Sequence, residues 1–85
     1  MNYSVVWVPS TEQELAATWL AAADRNAVTA ASHALDRDLA QDPHGRGIPR
    51  RGTPGYIAVE LPLGVEYEVV EADKTVRVLH VWSLV

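Results

Sequence analysis

Residues 57–82 read IAVELPLGVEYEVVEADKTVRVLHVW, and the fold turns on this stretch. Ile57, Val59, Leu61 and Leu63 alternate with Ala58, Glu60 and Pro62. Beyond Gly64, Val65, Tyr67 and Val69 alternate with Glu66, Glu68 and Val70. Successive side chains of a strand point to opposite faces, so this alternation predicts two half-buried strands. Glu71-Ala72-Asp73-Lys74 supplies a turn, and Thr75 to Trp82 forms a third strand, with Val76 and Val78 on one face and Thr75 and Arg77 on the other. Strands that follow one another through short turns pair as an antiparallel meander. Leu79, Val81 and Trp82 leave the end of the last strand apolar on both sides, as expected for a strand covered on both faces or a surface that meets a partner. The same alternation puts Glu60, Glu66 and Glu68 on one face, where Arg77 is expected to pair with them across strands.

Upstream, Tyr3 to Val8 is β-branched and aromatic and closes at Pro9, which predicts a short opening strand. Ser10 and Thr11 stand three residues before Gln13 and Glu14, two overlapping capping boxes that would start a helix running to about Ala23. Its apolar side is Leu15, Ala16, Trp19, Leu20 and Ala23. Asp24 can cap a second helix, whose Val28, Ala31, Leu35 and Leu39 recur at intervals of three and four. That helix ends near Gln41, because Asp42-Pro43 forces the chain out of the helical region. Residues 43–55 hold Pro43, Gly45, Gly47, Pro49, Gly52, Pro54 and Gly55 and form an irregular segment expected to cross the sheet. The order excludes a doubly wound parallel sheet. It predicts one α+β domain over residues 1–85: an N-terminal strand, then an α-helical hairpin packed on one face of a small antiparallel sheet that ends in a three-stranded meander.

The 85 residues are 48% hydrophobic and 21% charged, enough apolar content for one core and too little chain for a second. Phe is absent, so Trp7, Trp19, Trp82 and the tyrosines are the large anchors. There is no Cys for disulfide or thiolate chemistry, and neither a signal-peptide pattern nor an apolar run of about 18 residues appears; the expected location is the cytoplasm, away from membranes. The formal net charge is −4, which argues against general attraction to nucleic acid. Residues 1–45 carry Arg25 and Arg37 against Glu12, Glu14, Asp24, Asp36, Asp38 and Asp42, or 2 − 6 = −4. From residue 46 the charges cancel, and Arg46, Arg50 and Arg51 form the single uncompensated basic cluster of the sequence.

Taken together, Tyr3-Ser4-Val5-Val6-Trp7-Val8-Pro9-Ser10, the capped helical pair and Pro49-Arg50-Arg51-Gly52-Thr53-Pro54-Gly55-Tyr56 resemble toxins of the RelE/ParE superfamily of bacterial type II toxin-antitoxin modules. Val65-Glu66-Tyr67-Glu68-Val69 and Thr75-Val76-Arg77-Val78-Leu79-His80-Val81-Trp82 extend the resemblance over nearly the whole chain. It implies a cognate antitoxin as partner and no cofactor; the leading expectation is a ribosome-dependent mRNA endonuclease, of reduced activity given the departures below, and the alternative is a poison of DNA gyrase. Two departures stand out. Where the family's nucleases usually carry an arginine, two residues ahead of Glu66, this chain has Gly64. Where they tend to end on His, Arg or Tyr, it has Ser83, Leu84 and Val85.

Metal-free RNA cleavage requires a base for the 2′-hydroxyl, an acid for the leaving oxygen and cations on the pentavalent phosphate. His80, Arg50 and Arg51 are the candidate catalytic set of such an endoribonuclease. Arg46, with Arg50 and Arg51, would contact RNA phosphates. Glu60, Glu66 and Glu68 carry no accompanying His in their strands and are read as a solvated face, with no metal site; His33 and His44 are read as surface residues. A gyrase poison, or a binding module that has lost toxicity, needs no acid-base pair and tolerates both departures.

Overall fold

The computed structural model describes residues 2–85. Strand β1 (Ser4–Trp7) leads into helices α1 (Pro9–Ala21) and α2 (Arg25–Gln41). A one-turn helix α3 (Pro43–Arg46) and a two-residue strand β2 (Ile48–Pro49) follow, then β3 (Gly55–Glu60), β4 (Leu63–Val70) and β5 (Thr75–Ser83). The five strands form one sheet in the order β1-β5-β4-β3-β2. Every pairing is antiparallel except β1 with β5. The expected α+β architecture and C-terminal meander are therefore present. The breaker-rich segment, instead of simply crossing the sheet, adds an edge strand through Ile48↔Ile57 and Pro49↔Tyr56.

The β3–β4 turn is Leu61-Pro62, which pairs Glu60 with Leu63. Residues directly opposite in an antiparallel pair share a face, so a two-residue turn matches even positions of β3 with odd positions of β4. Tyr56 and Ala58 thus join Val65 and Tyr67 on the helix-covered side, while Ile57 and Val59 face away with Glu66 and Gly64. The alternation expected for residues 57–63 is inverted in β3 and its turn, where Ala58 is buried and Val59 and Leu61 are exposed, while Leu63 beyond the turn is buried as expected. In β5, Leu79 is an extra residue. Glu66 pairs with His80 and Tyr67 with Val78, a bulge that shifts the phase of the strand. Val76 and Val78 point into the core before it and Val81 after it. The apolar end of β5 is thereby explained, with Val81 inward and Trp82 across Gly64 on the other face.

Helix α2 presents Val28, Ala31, Leu35 and Leu39 to the sheet, all buried. They meet Ala58, Leu63, Val65, Tyr67, Val76, Val78 and Val81 in one cluster. Asp24 caps α2 by accepting from the Ala27 amide at 3.0 Å. The same device starts α3, where Asp42 accepts from the Gly45 amide at 3.1 Å.

Helix α1 departs from expectation. It begins at Pro9, with Val8 at the cap position and no capping side chain, so the anticipated capping boxes do not form. Proline is preorganised for the first helical position, and this early start draws Ser10 and Thr11 inside the first turn. Thr11 is fully buried and its hydroxyl has no hydrogen-bond partner among the described residues. The helix also stops at Ala21, not Ala23. Arg25 donates to the Trp19 carbonyl at 3.2 Å and the Leu20 carbonyl at 2.9 Å, satisfying the last turn.

The irregular segment is docked by Tyr67, whose hydroxyl donates to the Pro43 carbonyl at 2.6 Å in the interior. Burial pushes this phenol up to about 12, against a smaller opposing pull from the Gly47 amide. A β-carbon on Gly47 would lie 2.9 Å from the Ile57 carbonyl oxygen and closer still to the Tyr67 hydroxyl, so only glycine lets the chain pass.

Leu35 sits at the centre of this core with no exposed surface. Leu35→Ala should lower the unfolding free energy by about 2–5 kcal/mol, read from urea denaturation; Leu20→Ala, on the exposed side of α1, should change it by less than about 1 kcal/mol.

Candidate functional site

The face of the sheet away from α2 carries the residues singled out for chemistry. Arg50 follows β2 and opens a tight turn, its amide donating to the Gly55 carbonyl at 2.8 Å. Gly52 makes the reversal at φ 78°, in the left-handed region that glycine enters without strain. This turn swings Arg50 onto the sheet, where its guanidinium lies 2.5 Å from Glu66. Arg51 stays exposed beside Gly52 and makes no ion pair among the described residues. Glu66 is the register partner of His80. It therefore stands between the two halves of the candidate set. The exposed His80 ring reaches toward α1, with Nδ1 3.5 Å from Glu14, which also accepts from the Val81 amide at 3.3 Å.

Arg77 and Glu68 pair across β5 and β4 at 2.7 Å, as expected for that face. Glu60 does not join them. The turn register sends it to the helix side, where Arg46 reaches it at 2.9 Å and also contacts Asp38 at 3.1 Å. Arg46 donates a further bond to the Val59 carbonyl at 2.8 Å. Arg46, expected to contact phosphate, is thus a half-buried strut joining α2, α3 and β3, far from a free loop cation.

Trp82 lies across Gly64, and a β-carbon there would come within 2.7 Å of the indole. The position that carries an arginine in the nucleases this sequence resembles is covered by an aromatic ring. Beyond β5, the Leu84 amide donates to the Pro62 carbonyl at 2.8 Å, turning the chain end toward the β3–β4 turn. The open face consequently offers two carboxylates, Glu66 and Glu68, each already matched by an arginine.

A second cluster escaped the sequence reading. His44 is no isolated surface residue: Nε2 lies 2.7 Å from Glu71 and Nδ1 2.9 Å from the Tyr56 hydroxyl. Tyr3 donates to Glu71 at 2.9 Å, and Lys74 pairs with the same carboxylate at 2.9 Å. Lys74 foremost, then His44 and Tyr3, hold the Glu71 carboxyl at about 2. The carboxylate in turn raises both Tyr3 and Lys74. Lys74 and Glu71 are three residues apart in one turn, but His44, Tyr56 and Tyr3 are linked to one another and to Glu71 over 12 to 68 positions, which no local spacing could have shown. Among the described residues, no three His, Cys, Asp or Glu side chains converge as a metal site would require. No helix among them is long and apolar enough to cross a membrane.

With strand order, open face and bulge established, the chain can be set beside known structures. It superposes on a chain of the toxin-antitoxin complex RelBE2 from Mycobacterium tuberculosis with a TM-score of 0.79, at 17% identity, over 98% of this chain and 99% of that one. The fold is RelE-like. No family model matches the sequence, and no curated protein matches it either. At this identity, the RelE-like fold is what the comparison carries, and the chemistry of the face rests on the residues themselves.

Two outcomes follow from the charge network. Arg46→Met should cost about 2 kcal/mol in urea denaturation, because it removes the cation from Glu60, leaves Asp38 with only the exposed Arg37, and cuts the bond to the Val59 carbonyl. Glu71, lowered from its ordinary 4.5 to about 2, contributes its full stabilisation above pH 4.5 and loses it as the pH falls toward 2. Glu71→Gln should lower the Tm at neutral pH and flatten the acid limb across that window. Parallel acid limbs in thermal melts of the two proteins would show that the cluster contributes nothing.

Proposed function

We propose that this chain is the toxin component of a bacterial type II toxin-antitoxin module, restrained by a cognate antitoxin. It acts by occupying a macromolecular target, DNA gyrase being the target the resemblance offers, and not by cutting RNA. What supports the module is the RelE-like fold along the full chain length. What supports binding over cleavage is one observation: the arginines lying on the open face are already matched, Arg50 by Glu66 and Arg77 by Glu68. A pentavalent phosphate needs cations that are not already neutralised, and it is repelled by neighbouring carboxylates. The place where a further cation would stand, Gly64, lies under Trp82.

A second reading is metal-independent cleavage of ribosome-bound mRNA by His80, Arg50 and Arg51. It is favoured by the shared position of Glu66, which touches Arg50 and lies opposite His80, and by the exposure of Arg51. RNA phosphate could draw Arg50 off Glu66, leaving the carboxylate beside the imidazole. Either target places the protein in the bacterial cytoplasm.

Induced expression of the chain alone should arrest growth, and co-expression of the adjacent reading frame should relieve the arrest. Transcript 5′ ends should be unchanged, while plasmid supercoiling is altered. Growth unaffected in both settings would reject the toxin assignment. New transcript ends that fall at least tenfold in His80→Ala and Arg51→Ala would establish the cleavage reading in place of the first.

A further inference from the structure

The cluster around Glu71 contains an arrangement that the chemistry of the open face leaves unused. Glu71, His44 and Tyr56 form an unbroken chain. The carboxylate lies 2.7 Å from Nε2 of His44, and Nδ1 of the same ring lies 2.9 Å from the Tyr56 hydroxyl. The three residues come from the β4–β5 turn, α3 and β3, so only the folded chain assembles them. Lys74 and Tyr3 each reach the same carboxylate at 2.9 Å. The Tyr56 ring is fixed between its neighbours, stacked on Tyr67 at 5.3 Å and edge-on to His44 at 5.8 Å.

The hydrogen bonds dictate where the protons stand. With its carboxyl lowered to about 2, Glu71 is ionised at neutral pH and can only accept. Nε2 must therefore carry a proton, and in the neutral imidazole Nδ1 is left with a lone pair. The Tyr56 hydroxyl, facing that lone pair, donates its proton to it. His44 is exposed and Tyr56 half-buried, and the bond between them is open to solvent. A hydroxyl, a base and a carboxylate that orients the base, each within hydrogen-bond reach of the next, is the arrangement that activates a weak nucleophile. We propose that Tyr56 is an acyl-acceptor site, modified on its hydroxyl by activated esters, with His44 as general base and Glu71 positioning the imidazole. The phenolic oxygen attacks the ester carbonyl as its proton passes to Nδ1, and the imidazolium is held against Glu71. Collapse of the tetrahedral adduct breaks the bond to the alcohol or phenol, which leaves with the proton from Nδ1, and Tyr56 carries the new ester. The site lies on the other face of the sheet from Glu66 and His80 and needs nothing from the function proposed above.

The test treats the intact chain with p-nitrophenyl acetate at about pH 7.5 and locates the acetyl groups by peptide mass mapping. Tyr3 is the internal control: it is half-buried like Tyr56 and bonded to the same carboxylate, but its hydroxyl meets no imidazole nitrogen. Tyr56 should be acetylated at least tenfold faster than both Tyr3 and free N-acetyltyrosinamide. This comparison needs no variant, so it decides the matter even where a substitution unfolds the chain. As the pH is raised, the Tyr56 rate of the parent should reach a plateau. In His44→Gln it should fall at least tenfold and climb with pH in step with Tyr3. Glu71→Gln, which still offers Nε2 an acceptor, should keep the plateau but lower it at least threefold, and thermal melts should show both variants folded. A Tyr56 rate that does not exceed both references, acetyl groups confined to Lys74 and the amino terminus, or a plateau that either substitution leaves at full height would overturn the proposal.

Discussion

The two-residue turn at Leu61-Pro62 is the constraint from which most of the molecule follows. By pairing Glu60 with Leu63, it fixes which positions of β3 and β4 share a face. A turn one residue longer would exchange Ala58 for Val59 in the core and bring Glu60 round to the open side. With the register as it is, Ala58, Val65 and Tyr67 meet Leu35 and Leu39 of α2. The small Ala58 leaves room for the stacked pair of Tyr56 and Tyr67, whose rings lie 5.3 Å apart at 11°.

The same constraint sorts the charges. Glu60 falls on the helix side and recruits Arg46, which then ties α2 and α3 to β3 through Asp38 and the Val59 carbonyl. Glu66 and Glu68 fall on the other side, where Arg50 and Arg77 neutralise them. The basic cluster of the sequence is thereby divided: one arginine becomes structural, one is matched on the open face, and Arg51 remains at the turn. Exposed ion pairs contribute at most about 1 kcal/mol each. Their consequence here lies less in stability than in the missing positive potential over the sheet.

Stability is distributed unevenly in the same way. The sheet, α2 and the docked segment around Tyr67 share one continuous core, and the Tyr3, His44, Tyr56, Lys74 and Glu71 cluster fastens the edges where three parts of the chain meet. Helix α1 joins this core through Leu15 and the buried Thr11 but is less well secured, lacking a side-chain cap, with a Thr11 hydroxyl unpartnered among the described residues and Trp19 and Leu20 exposed.

The sequence by itself determined the elements that depend on local chemistry. The stripe Val28, Ala31, Leu35 and Leu39, the Asp24 cap, the stop at Asp42-Pro43 and the β5 strand with its Arg77–Glu68 pair are all legible from spacing, because periodicity and capping act within a few residues. The order of elements likewise sufficed for the α+β class. Tertiary structure decided what rests on register and on contacts distant in sequence. An alternation shows that a strand has two faces without saying which one is buried, and so the pattern is inverted over residues 57–61 while Leu63 lies in the core. Arg46 looks like a free cation until α2 and β3 are brought together, and His44 gains Glu71 and Tyr56 only once the sheet edge is assembled. These partners are set by chain reversals that no local pattern encodes, and they determine which of the candidate residues remain free to act.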